Sequence, residues 1–250
     1  MTSEVLKKKI IIALDVKNKE EAVETVSKLV DARIFKVGLE LFTAEGPALF
    51  KKLKVFRKSV FLDLKLHDIP NTVAGAVRSA VRHGVQMMTI HTSGGREMMA
   101  RAAEAARETS EAEKIEKPIL LGVTVLTSMK SAELEEVGMK PDVAAQVLRL
   151  AGLAKSAGMD GIVCSPQEIE IVRKEYGRSL LLVTPGIRPA WAAAQDQKRI
   201  MTPAEAVEKG ADYLVIGRPI TADPSPAGAF LRILEELERA VNPADRENRA

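Results

Sequence analysis

The stretch Phe61 to Thr72, FLDLKLHDIPNT, carries Asp63, Lys65 and Asp68 in a run that otherwise reads as a buried strand leading into a helix. A lysine between carboxylates is a cation held in place, able to stabilise developing negative charge and then to deliver a proton. Strand alternation places Asp63 and Lys65 on one face and Leu62, Leu64 and Leu66 on the other. A structural ion pair is the plainer reading of an isolated Asp-x-Lys, because ion-pair networks perturb charges without doing chemistry. That reading loses ground once other charged residues finish neighbouring strands, since buried charge at such density costs more stability than an apolar core.

The elements that must position these residues follow from periodicity. Short β-branched runs fall at 9–16, 34–40, 60–66, 87–92, 119–126, 161–165, 180–186 and 213–218. Longer amphipathic segments lie between them, among them NKEEAVETVSKLVD, NTVAGAVRSAVRHG, REMMARAAEAARETSEAEK, PDVAAQVLRLAGLAKSAG and TPAEAVEKGAD, with a last helix near AGAFLRILEELERAV. Eight buried strands alternating with helices predict an α/β fold, a (β/α)8 TIM barrel, as one domain over residues 1–250 with a polar tail from about 242. Ser165-Pro166-Gln167-Glu168 and Thr202-Pro203-Ala204-Glu205 each offer a hydroxyl cap, a proline at the first helical position and a glutamate at the third. An open doubly wound sheet competes, but no G-x-G-x-x-G follows the first strand.

Barrel enzymes build their sites at the C-terminal ends of the strands. Asp15 ends strand 1, Lys36 lies in strand 2, Asp63 and Lys65 in strand 3, and Thr127 and Ser128 follow strand 5. Strands 7 and 8 end in TPGIRP, with Pro185 and Arg188, and IGRP, with Gly217 and Arg218. A phosphate site is expected there: glycine allows close backbone approach and arginine offers bidentate hydrogen bonds to an oxyanion. The segment RPAWAAAQDQKR is long for such a connection and is expected to form a lid from which Gln197 reaches the ligand. A surface glutamine is the alternative for that position.

The bulk composition excludes several classes. A formal charge of +3 with 4% aromatic residues gives neither the basic stripe nor the stacking residues of a nucleic-acid binder. Cys164 is the single cysteine, so no internal disulfide and no cysteine-rich zinc site can form. His67, His83 and His91 lack ligand spacing, so no metal is expected. The first apolar run is broken by Asp15, too short for a signal segment, and nothing approaches the ~20 apolar residues of a membrane helix; a cytoplasmic location is expected.

Taken together, ALDV with Asp15, FKVG with Lys36, DLKLHDIPNT, VTVLTS, TPGIRP, Gln197 and IGRP resemble, in order, the motifs of the orotidine 5′-phosphate decarboxylase family. The resemblance implies a cofactor-independent decarboxylation of orotidine 5′-monophosphate to UMP, the last step of UMP synthesis. It implies that Lys65 is the proton donor to C6, that Asp63 lies beside the substrate carboxylate, and that Lys36 and Asp68 complete an alternating charge array. It further implies a homodimer in which Asp68 and Thr72 reach the neighbouring site. Asp15 would bind ribose, Thr127 or Ser128 the pyrimidine, and Pro185, Arg188, Gln197, Gly217 and Arg218 would line the phosphate end. D-x-K-x-x-D alone is shared with Mg-dependent sugar-phosphate synthases and decarboxylases of the same suprafamily, which are the alternative, together with a non-catalytic nucleotide-binding barrel.

Overall fold

A computed structural model describes residues 2–192 and 201–241. Among these residues eight strands form a closed parallel barrel in sequence order. They are β1 (Ile10–Leu14), β2 (Ile34–Gly38), β3 (Ser59–Leu66), β4 (Met87–His91), β5 (Ile119–Val123), β6 (Gly161–Val163), β7 (Leu181–Thr184) and β8 (Tyr213–Ile216). Each falls within or across an expected apolar run. The reason is visible in β1, whose five residues are all buried. A strand in a helix-covered parallel barrel is enclosed on both faces and therefore reads as continuously apolar rather than alternating.

Helix starts obey local chemistry. Asn18 accepts from the Glu21 N–H at the head of helix Lys19–Lys28, and Asp142 accepts from the Ala145 N–H before helix Val143–Ser156. Thr202 and Glu205 form the reciprocal capping box anticipated from the sequence, with Pro203 opening the helix. At the other anticipated start, Ser165 accepts from the Gln167 N–H, but the first turn, Pro166–Glu168, is a tighter 3₁₀ turn leading into helix Ile169–Tyr176.

The backbone groups into two compact units, Met1–Phe61 with Thr184–Ala250, and Leu62–Val183. In the first, β1 pairs with β2 and β8, placing Ala13 opposite Lys36 and Ile12 opposite Ile216. Ile11, Phe35, Leu49, Ile216 and Phe230 fill its core. In the second, β4 through β7 pair in sequence, and Met88, Met98, Met99, Leu121 and Ile162 are buried, as is Cys164. The two methionine pairs are thus core filling, for which the flexible thioether is suited.

Among the described residues five α-helices have no counterpart in the expectations above: Ser3–Lys7, Leu39–Glu45, Ala48–Val55, Ser131–Glu136 and Arg218–Thr221. All have eight residues or fewer, too short for a 3.6-residue period to declare itself. Among the described residues no helix is long and apolar enough to cross a membrane. The polar tail from about 242 lies outside the described residues.

Candidate active site

Two groups of charged side chains occupy strand ends, one in each unit. In the first unit Lys36, in β2, sends its Nζ to 3.2 Å from Oδ1 of Asp15, just beyond β1. The lysine side chain is largely enclosed, at 13% exposure, while Asp15 is open at 63%. Gly38 makes room for this ammonium: a Cβ there would stand 3.1 Å from Lys36 Nζ. Gly217, after β8, lies beside Asp15, and a Cβ there would meet Asp15 Oδ2 at 3.5 Å, an ordinary contact.

In the second unit Lys65 Nζ lies 3.0 Å from both carboxylate oxygens of Asp63. Both side chains are shielded, Asp63 at 13% and Lys65 at 31% exposure. The strand does not run regularly through this pair. Lys65 adopts φ +51°, the left-handed region, which costs a non-glycine residue about 1–3 kcal/mol. The simple alternation expected for residues 62–66 is interrupted there; Leu62 is buried, but Leu64 and Leu66 are only partly so.

Thr89, in the middle of β4 and fully buried, ties the irregular residue down. The Lys65 N–H donates to Thr89 Oγ1 at 2.9 Å, and that hydroxyl donates to Asp63 Oδ1 at 2.9 Å. Sequence reasoning passed over Thr89; the available signal was a polar residue within the apolar strand MMTIHT. Beyond β4, His91 has its ring centroid 5.5 Å from that of His67. Burial, and then the nearby His67 and Lys65, lower the pKa of the His91 imidazole from its ordinary value.

The remaining residues are distributed as follows. Asp68 and Thr72 are exposed, and the Asp68 carboxylate accepts from the Ile69 N–H at 2.6 Å. Among the described residues Asp68 forms no ion pair with Lys65. Thr127 and Ser128 are exposed in the turn after β5, closed by a Met129 N–H to Leu126 carbonyl bond at 2.9 Å. Pro185 and Arg188 are partly exposed beyond β7, and the Arg188 N–H donates to the Met201 carbonyl at 3.1 Å. Arg218 is exposed and opens the short helix Arg218–Thr221. Of the segment expected to form a lid, Trp191 stacks under the Arg232 guanidinium at 4.1 Å, and Gln197 lies outside the described residues.

An ammonium gripped by two carboxylate oxygens, on a backbone fixed by a buried hydroxyl, is preorganised to meet negative charge and to give up a proton. Comparison with known proteins gives the family of the chain. A protein named orotidine 5′-phosphate decarboxylase from Syntrophotalea carbinolica is 50% identical over 236 residues, covering 94% of this chain and 97% of its own length. One of the same name from Trichlorobacter lovleyi is 51% identical, covering 96% of this chain and 100% of its own length. The crystal structure of orotidine 5′-phosphate decarboxylase from Lactobacillus acidophilus superposes with a TM-score of 0.82 at 38% identity, covering 92% of this chain and 99% of that one. Residues 8–233 match the sequence profile described as orotidine 5′-phosphate decarboxylase / HUMPS, and the chain belongs to that family.

Proposed function

We propose that the protein decarboxylates orotidine 5′-monophosphate to UMP and CO2, with Lys65 stabilising and then protonating the C6 carbanion. The observation that carries this reading is the Lys65 ammonium held 3.0 Å from both oxygens of Asp63. The near-full-length relatives that bear the decarboxylase name support the same substrate.

The chemistry explains why a fixed cation is needed. Departure of CO2 leaves an electron pair on a ring carbon with no adjacent carbonyl placed to accept it. An ammonium already oriented toward that carbon lowers the barrier without solvent reorganisation, and its proton completes the product. Asp63 beside the leaving carboxylate disfavours the bound ground state; two unit charges ~4 Å apart interact by about 4 kcal/mol at an effective dielectric near 20. Lys36 and Asp68 extend the array and balance its charge.

Around this centre Asp15 binds the ribose hydroxyls and Thr127 or Ser128 the pyrimidine. Pro185, Arg188, Gln197, Gly217 and Arg218 take the phosphate, whose binding energy holds the base against the charged array. The working unit is a cytoplasmic homodimer, with Asp68 and Thr72 supplied to the neighbouring site. Exposure of Asp68, and of Ile69 at 67%, supports this arrangement.

The test is loss of orotidylate absorbance with purified protein and EDTA. Turnover is expected there and none on sugar phosphates; the reverse pattern would move the protein to the sugar-phosphate branch. Lys65→Ala is expected to abolish turnover while UMP still binds. Near-wild-type turnover in that variant would remove Lys65 from the chemistry.

A further inference from the structure

We propose that Thr89 is a positioning residue for the decarboxylation, acting through Asp63 and Lys65 rather than on the substrate. Its hydroxyl has one hydrogen, and the roles are forced by its neighbours. The Lys65 N–H can only donate, so Thr89 Oγ1 accepts from it; the ionised Asp63 carboxylate can only accept, so Thr89 donates to it. One buried oxygen therefore fixes the backbone of the lysine and the orientation of the carboxylate that grips that lysine's ammonium.

The arrangement corrects two weaknesses at once. A lysine at φ +51° has no intrinsic reason to stay there, and the bond from its N–H to Thr89 is what retains it. A carboxylate can rotate about its last bond, and the Thr89 hydroxyl on Oδ1 holds it in the rotation that leaves both oxygens on Lys65 Nζ. Thr89 is fully buried, so water cannot substitute for the missing hydroxyl without opening the strand packing.

The inference rests on Lys65 and Asp63 being the reacting pair, so Lys65→Ala is assayed in parallel. Thr89→Val keeps the shape and β-branching of the side chain and deletes both hydrogen bonds. Its kcat on orotidylate is expected to fall about tenfold to a hundredfold, the usual penalty for a reacting group displaced by roughly 1 Å, with KM changed less than about threefold. Thr89→Ser, which restores the hydroxyl, is expected to recover kcat to within about threefold of wild type. Thr89→Ala provides a second comparison, because it leaves the same methyl gap as Thr89→Ser and differs only in the hydroxyl.

Circular dichroism and thermal melts accompany each assay. An inactive Lys65→Ala with unchanged kcat in Thr89→Val overturns the role of Thr89 alone, whereas a fully active Lys65→Ala overturns the underlying reading as well. Equal losses in Thr89→Ser and Thr89→Ala would make the methyl group responsible. Failure of both Thr89→Val and Thr89→Ala to fold, with Thr89→Ser and Lys65→Ala folded, would make the hydroxyl a folding requirement; either result overturns the proposal.

Discussion

The Lys36 ammonium proposed for the charge array needs its surroundings fixed to a fraction of an ångström, and a neighbouring residue without a side chain gives it room. Gly38 has φ −93° and ψ −174°, a conformation open to alanine, so the backbone itself tolerates the change. The added Cβ would press on Lys36 Nζ from 3.1 Å and shift the ammonium by a few tenths of an ångström. Gly38→Ala is expected to lower kcat/KM on orotidylate about tenfold. The melting temperature should stay level or rise slightly, because alanine reduces the freedom of the unfolded chain. Steady-state kinetics with a thermal melt check both; unaltered kinetics would show that the exact place of Lys36 is unimportant. Lys36 and Asp63 were legible in the sequence because charged residues inside apolar strands stand out. The parts played by Gly38 and Thr89 were not, since they depend on where a neighbouring long side chain ends.

At the scale of elements, β3 is held at its start by a second kind of buried lysine. Lys58, 8% exposed, donates to the carbonyls of Leu29, Val30 and Ala32, in the segment that leaves helix Lys19–Lys28. Burial lowers the pKa of its ammonium, yet that one group serves all three carbonyls, of which, among the described residues, only Leu29 is seen to accept a second bond, from the Ala32 N–H at 3.2 Å. Lys58→Met preserves the apolar stem and is expected to destabilise the fold by about 3 kcal/mol, read as a lower urea midpoint, with kcat of the folded enzyme unchanged. A midpoint within error of wild type would mean that water serves those carbonyls equally well. The strand itself was readable from its short run of Val, Phe and Leu, but its left-handed residue was not: periodicity reports which face a residue prefers and carries no record of a single φ reversed at Lys65. Thr202 and Glu205 show the opposite case, where a cap is set by residues three positions apart and is therefore readable directly.

For the whole molecule, strands alternating with amphipathic helices were enough to specify the barrel, because each parallel crossover needs a helix and each buried strand needs both faces covered. Association between chains leaves a fainter trace: a surface residue such as Ile69 or Asp68 looks the same in sequence whether solvent or a second copy covers it. The proposed homodimer can be tested through the two residues it would separate. Lys65→Ala and Asp68→Ala proteins are each expected to be nearly inactive alone. If Asp68 serves the neighbouring site, a mixed dimer has one site lacking both groups and one site with both intact. Dissociating and reassociating equal amounts at random makes half the dimers mixed, so about one quarter of wild-type activity should return. No recovery, in a mixture shown by mass spectrometry of the intact dimers to contain the hybrid, would place Asp68 in the same subunit's site as Lys65.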